Sequence, residues 1–301
     1  MTSPGKFPDP RRTWLTPFLR IMTRTEQEMR KLLEKTARAA AADIAALKGD
    51  NIGAVVRRAQ LRSAQTELLR TLAWFWRDAG DLVAAARVEA SVAALQASVD
   101  WDKRLYQAGG ISNRQIQILR DGMATTSERN VALMIRRFTT EQISLSRQVY
   151  RTQALTKGWI EGLVNEAIGK GLSAREFAAQ VKRFIRPDTP GGLSFAAMRL
   201  SRTELNNAFH AASIAANVDK PWVTAMKWTL SRSHPKPDEC DALAGNDSFD
   251  LGAGCFPPGQ VPSKPHPQCF CYIVPLQVDE DEFVKAFQKG DYDRFLSKLI
   301  G

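Results

Sequence analysis

The sequence predicts a mainly α protein, with a long helical N-terminal region followed by a small α+β module near the C-terminus. Proline is the first sign. None occurs between Pro17 and Pro187, whereas nine of the fifteen prolines fall between Pro221 and Pro275. Proline removes a backbone donor and clashes with the preceding helical turn, so the first stretch is free to be helical and the second is not. Composition is the second sign. Thr23–Leu47 and Asp81–Val99 are dominated by Ala, Leu, Glu, Arg and Lys, the strongest helix formers. Third, apolar residues beyond Pro221 begin to alternate as they do in strands.

Residues 1–16 are polar, with Pro4, Pro8 and Pro10, and read as a disordered tail without the apolar core of a signal peptide. The region 17–170 reads as helical hairpins and an extended arm. Asn51, Ser112 and Ser173 stand where helix N-caps belong, and Gly80, Gly109, Gly110 and Gly171 where helices stop. Phe177, Val181 and Phe184 recur on one helical face. Trp74, Phe75 and Trp76 cannot all point one way on a helix, so one or two belong to a core and the rest, Trp74 and Trp76 being candidates, suit a docking surface. A module over 171–277 follows. It contains the linker Arg186–Gly192, a helix capped by Ser194, a strand over Ala225–Ser231 and a strand over Cys271–Val278. Pro275 marks that last strand as an edge. Residues 278–301 form an acidic amphipathic helix broken around Gly290.

Apolar residues make up 44% of the 301 and charged residues 25%, values that fit a globular chain and exclude a disordered or fibrous one. No uninterrupted run approaches the roughly 18 apolar residues of a membrane span, so no membrane partner is expected. The formal charge is +10, and because 278–301 holds six acids against four bases, the rest of the chain carries +12. Such an excess favours non-specific association with polyanions such as double-stranded DNA.

On the helix after the linker, Met198, Leu205 and Phe209 form an apolar stripe that also contains Arg202. A charge on a buried stripe must be paired or must snorkel at its edge. Arg202, with Glu204 beside it, is therefore a candidate structural hub, held by a carboxylate or by carbonyls of the module that follows.

All four cysteines and two of the three histidines fall between His234 and Cys271. An irregular segment of this length buries little apolar surface and needs another cross-link to offset its ordering entropy. Zinc held by thiolates and imidazoles supplies one. The candidate ligands are His234, Cys240, His266, Cys269 and Cys271, with Cys255 undetermined among its glycines. In a regular strand Cys269 and Cys271 would share a face but lie well apart, so both can reach one metal only if the chain kinks. One of the two closes the site, and the other completes it or packs beneath it as a buried thiol. The alternatives are a metal-free cluster of thiols and hydrogen-bonded histidines, or catalytic use with Asp238, Glu239 or Asp241 near His234. No H-E-x-x-H, G-x-S-x-G or Walker A pattern is present.

The order RLSRTELNNAFHAAS, MKWTLSRSH, DECD, PHPQCFCYIVP resembles the head morphogenesis module of tailed phages, the minor head protein family named for the phage Mu F protein. The resemblance spans about Gly171 to Pro275 and rests on Arg202-Thr203-Glu204, Asn206, Asn207, His234 and the terminal His-Pro-x-Cys-x-Cys. Cys240 and Cys255 go beyond the minimal pattern. What the resemblance implies is a non-enzymatic virion component inside the capsid, made in the host cytoplasm. Its implied partners are the portal protein and major capsid or scaffold proteins, and its role lies in head assembly and genome packaging or ejection. The competing readings are a zinc-dependent enzyme acting on nucleic acid or peptide, and a host DNA-binding protein with a zinc module.

Overall fold

A computed structural model describes residues 9–46, 53–123, 128–138, 145–186, 192–232, 234 and 237–300. A π-helical turn over Arg11–Leu15 leads into α1 (Thr16–Ala45), followed by α2 (Ala54–Ala108), α3 (Asn113–Gly122), α4 (Glu128–Phe138), α5 (Leu145–Lys170), α6 (Ala174–Ile185) and α7 (Leu193–Ala215). The C-terminal third holds β1 (Val223–Thr229), α8 (Glu239–Gly245), β2 (Cys255–Phe256), β3 (Tyr272–Gln277), α9 (Glu280–Gln288) and α10 (Asp293–Ile300). The fold is mainly α with a small α+β module, as the proline distribution anticipates.

The chain divides into two compact units. One combines Met1–Met22, Ala85–Gln142 and Thr203–Gly301, the other Thr23–Ala84 and Ile143–Arg202. The module expected over 171–277 is therefore not one unit: its first part packs with helices, and its second part builds a core with the end of α2.

In the all-helical unit, Leu61, Ala64, Leu68, Leu72, Phe75, Ala79 and Val83 recur every three or four residues along α2 and are all buried. Thr71 donates to Asp43 of α1 at 3.2 Å, and Arg62 to Asn165 of α5 at 3.1 Å. Gly80 does not end a helix, because α2 runs through it. A Cβ there would lie 3.5 Å from a Val149 methyl of α5, so the glycine admits a close neighbour instead. The helix bears the cost of an internal glycine, about 1 kcal/mol, because its stripe continues on both sides. Ser173 caps α6, and Ser112 caps α3, each within a reciprocal capping box. Ser194 lies inside α7 rather than at its cap, and Asn51 lies outside the described residues. Phe75 and Trp76 are buried, so Trp76 is not a docking residue; Trp74 is 54% exposed, with the Arg77 guanidinium 4.1 Å over its ring.

In the α+β unit, Trp222 is fully buried. Tyr106, Phe283, Tyr292 and Phe295 all meet it edge-on at centroid distances of 5.1–5.8 Å. This aromatic cluster makes α9 and α10 part of the core and not a separate acidic tail, although Gly290, at φ +79°, does break them apart as expected. Asp9 onward is likewise not a disordered tail. Trp14 is buried, 6.4 Å from Trp101, because a large indole gains more from packing than the first turn loses in freedom.

The sheet is antiparallel, in the order β2-β1-β3. β3 is an edge, as Pro275 predicts, and its exposed carbonyl is taken by the Trp101 indole N–H at 3.1 Å. The two-residue β2 is an addition that composition does not reveal. It pairs Cys255 with Lys227. Gly254 before it has φ +73°, and a Cβ would meet the Ala244 carbonyl oxygen at 2.8 Å, so only glycine fits.

Candidate metal centre

Three short pieces of chain bring the cysteines and histidines together. The first is the start of α8. Asp238 caps it, its carboxylate accepting from the Cys240 N–H at 2.7 Å, while Asp241 reaches back to the Asp238 N–H at 2.7 Å. This capping box turns Cys240 inward, where it is fully buried. The second piece is the turn before β3. Gln268 adopts φ +60°, the left-handed conformation, so Cys269 and Cys271 leave strand geometry and both point into the interior. The Gln268 N–H donates to Thr203 Oγ1 at 3.3 Å, fixing this turn to α7. The third is His234, just beyond β1.

Cys240 Sγ lies 3.4 Å from Cys269 Sγ and 3.4 Å from His266 Nε2. Cys269 and Cys271 share a sulfur–sulfur hydrogen bond, and Cys271 Sγ lies 3.9 Å from His234 Nδ1. A tetrahedral zinc with Zn–S near 2.3 Å and Zn–N near 2.05 Å separates its ligands by roughly 3.6–3.8 Å. The observed spacings match that scale. Cys240, His266 and Cys269 can hold a metal ion, their ligand atoms all lying within 4.8 Å of one another. His234, Asp238 and Asp241 form a neighbouring group of the same compactness. All five predicted ligands thus converge. Cys255 does not: its thiol turns toward the Ala253 carbonyl, at 3.8 Å.

Hydrogen bonds assign the ring nitrogens. His266 Nδ1 faces the Pro267 carbonyl at 3.1 Å, which can only accept, so Nδ1 carries the proton and Nε2 presents its lone pair to the thiols. The Asp238 carboxylate lies 3.1 Å from that same Nε2. Two electron-rich groups this close require a proton or a cation between them. His234 Nε2 donates to Asp241 Oδ2 at 2.7 Å, and this bond, the largest influence, raises the pKa of His234 and lowers that of Asp241 together with the Asp238 N–H. Among the thiols, Cys269 is drawn down to about 5, chiefly by the hydrogen bond from Cys271. Burial pushes Cys240 up to about 12, and the bond to Cys269 pushes Cys271 up as well.

Asp238 and Asp241 are more than solvated acids, and the D-x-x-D spacing of a capping box was the available signal. Lys264 is the second surprise. Its Nζ donates to the Cys271 carbonyl, lies 5.6 Å from the Trp228 ring, and faces the three sulfurs. The third histidine, His210 of α7, stands apart from the thiols, donating from Nε2 to the Pro262 carbonyl at 2.8 Å.

The expected hub at Arg202 and Glu204 is two separate ion pairs. Arg202 meets Glu26 of α1 at 2.6 Å, so its carboxylate comes from an earlier helix and not from the module that follows. Glu204 meets Arg87 of α2 at 3.5 Å, both largely buried.

Comparison of the chain with protein-family models, with curated proteins and with solved structures finds no match.

Proposed function

We propose that this chain is a minor head protein of a tailed phage. In this reading it is portal-associated inside the procapsid, is not an enzyme, and has its C-terminal module held together by one structural zinc ion. One observation carries the reading: the residues on which the family resemblance rests are joined to one another. Thr203, from the Arg-Thr-Glu element of α7, accepts a hydrogen bond from Gln268 in the His-Pro-x-Cys-x-Cys element, and that element meets His234 and Cys240 in a single cluster. Such a set of motifs serves to tie a module together. The donor chemistry supports zinc over harder cations, which prefer oxygen ligands. It also favours a structural role. Four or five buried or half-buried nitrogen and sulfur donors around one point fill a tetrahedral ion and leave no position for a substrate, which a zinc enzyme requires.

The test is co-expression with the cognate portal protein. The chain is expected to co-purify with portal or procapsids across several salt concentrations. Recovery of a free chain in every condition, or a gene lying among metabolic genes with no portal or capsid gene beside it, would overturn the assembly role.

A further inference from the structure

We propose that Cys240, Cys269, Cys271 and His266 form a three-thiolate, one-imidazole site for a divalent metal ion, and that the buried ammonium of Lys264 is its fixed counter-charge. The inference rests on the metal reading above and commits it to a ligand set and a net charge.

With Cys240, Cys269 and His266 in place, two atoms compete for the fourth position, Cys271 Sγ and His234 Nδ1. They lie only 3.9 Å apart, so distance does not choose between them. Charge does. A divalent ion with two thiolates and two neutral imidazoles is neutral, whereas three thiolates and one imidazole leave one negative charge. Lys264 sits against the sulfurs of Cys269, Cys271 and Cys240, and among the described residues no carboxylate pairs with it. Its contacts are the Cys271 carbonyl and the face of Trp228. An isolated buried ammonium costs several kcal/mol. A cluster of charge −1 removes that cost, and a neutral cluster does not. On the far side of Lys264, His210 is buried and neutral, so it contributes no compensating charge.

Two further contacts agree. The Ser231 N–H points at Cys271 Sγ at 3.5 Å, and backbone donors to sulfur favour the thiolate. His234 is already engaged through Nε2 with Asp241, which leaves its ring to orient Cys271 from outside the site. Both cysteines of the Cys-x-Cys pair are then ligands, and left-handed Gln268 supplies the kink that makes this geometry reachable.

Cobalt(II) substituted into the full chain tests the ligand set, because thiolate-to-metal charge-transfer intensity scales with the number of thiolates. Three are expected in the wild type and two in Cys271→Ser. A two-thiolate wild-type spectrum, or a Cys271→Ser spectrum identical to wild type, overturns the assignment. Zinc affinity, measured by competition with a chromophoric chelator, tests the counter-charge. Lys264→Met is expected to weaken binding by roughly 10–100-fold while one equivalent still binds at saturation, and Lys264→Arg to recover most of the loss. Equal affinity in wild type and Lys264→Met overturns the role of Lys264; Lys264→Gln replaces Lys264→Met if the latter does not fold. Failure of the wild type to take up any metal is read first and overturns the metal reading itself.

Discussion

Cys240 Sγ and Cys269 Sγ lie 3.4 Å apart although 29 residues separate them in the chain. Each is aimed by its own local device, Cys240 by the Asp238–Asp241 capping box and Cys269 by the left-handed turn at Gln268. Both devices are backbone hydrogen bonding and backbone conformation, so the donors converge through the fold. Cys255 shares the burial of the others but has no such device, and it faces away from them.

The four cysteines should therefore respond differently to serine substitution. Cys255→Ser is expected to keep a full equivalent of zinc and to lose only the roughly 1–3 kcal/mol of burying an unpaired hydroxyl. Cys240→Ser should lose the metal and, with it, the ordered segment around α8, because metal binding supplies folding energy there. Elemental analysis and thermal unfolding of the two proteins decide the matter. Equal zinc content in both would contradict the placement of Cys240.

The two ion pairs of α7 should differ as sharply. Arg202 and Glu26 retain 31% and 21% side-chain exposure, and such pairs contribute about 0–1 kcal/mol. Glu204 is almost wholly buried, and burial, opposed by Arg87, raises its pKa. Arg87→Met strands a buried carboxylate and should cost about 3–5 kcal/mol, whereas Arg202→Met should cost under about 1 kcal/mol. Denaturant melts of both variants give the comparison, and the reverse order would show that the Arg-Thr-Glu motif is anchored through Arg202.

How much of this was legible in the sequence follows from what each signal encodes. Helix type was legible because composition and the absence of proline act over tens of residues. Helix ends were less so. Gly80 reads as a stop, but a glycine without positive φ can equally mark a close approach, and only Val149 of a distant helix distinguishes the two. The cluster of five ligands was legible because Cys and His are rare here and crowded together. Lys264 was not, because a lysine between prolines looks like a solvated loop until its surroundings are known. Nor was β2, whose two residues carry no periodicity. Trp14 was misplaced in a tail because flanking prolines outweigh one aromatic in a composition reading.

DNA binding, expected from the +12 charge of the chain before Val278, should be electrostatic and indifferent to sequence. With several phosphates contacted, affinity should fall by about two to four orders of magnitude between low and moderately high salt. Fluorescence anisotropy on two unrelated duplexes across that range tests it. Binding that ignored salt or strongly preferred one duplex would rule out this mode of association.

The last prediction concerns pH and His210. This imidazole is buried against Trp228, at a centroid distance of 5.6 Å, and its Nε2–H is committed to the Pro262 carbonyl. Burial, and after it the neighbouring Lys264, hold its pKa down at about 3, with the Pro262 bond opposing weakly. The unfolded chain protonates the same ring near 6.5. Between these values the unfolded state takes up a proton that the native state refuses, so the contribution of neutral His210 is whole above pH 6.5 and is lost progressively as pH falls toward 3. The slope should approach 1.4 kcal/mol per pH unit within that window, at about one proton of difference. His234 acts in the opposite sense, because its pKa is raised by Asp241, so the wild type alone does not isolate the effect. The difference between wild type and His210→Gln does. Urea melts between pH 5 and 7.5 should show wild-type stability falling more steeply on acidification than that of the variant, and parallel curves would mean that His210 is protonated in the folded protein.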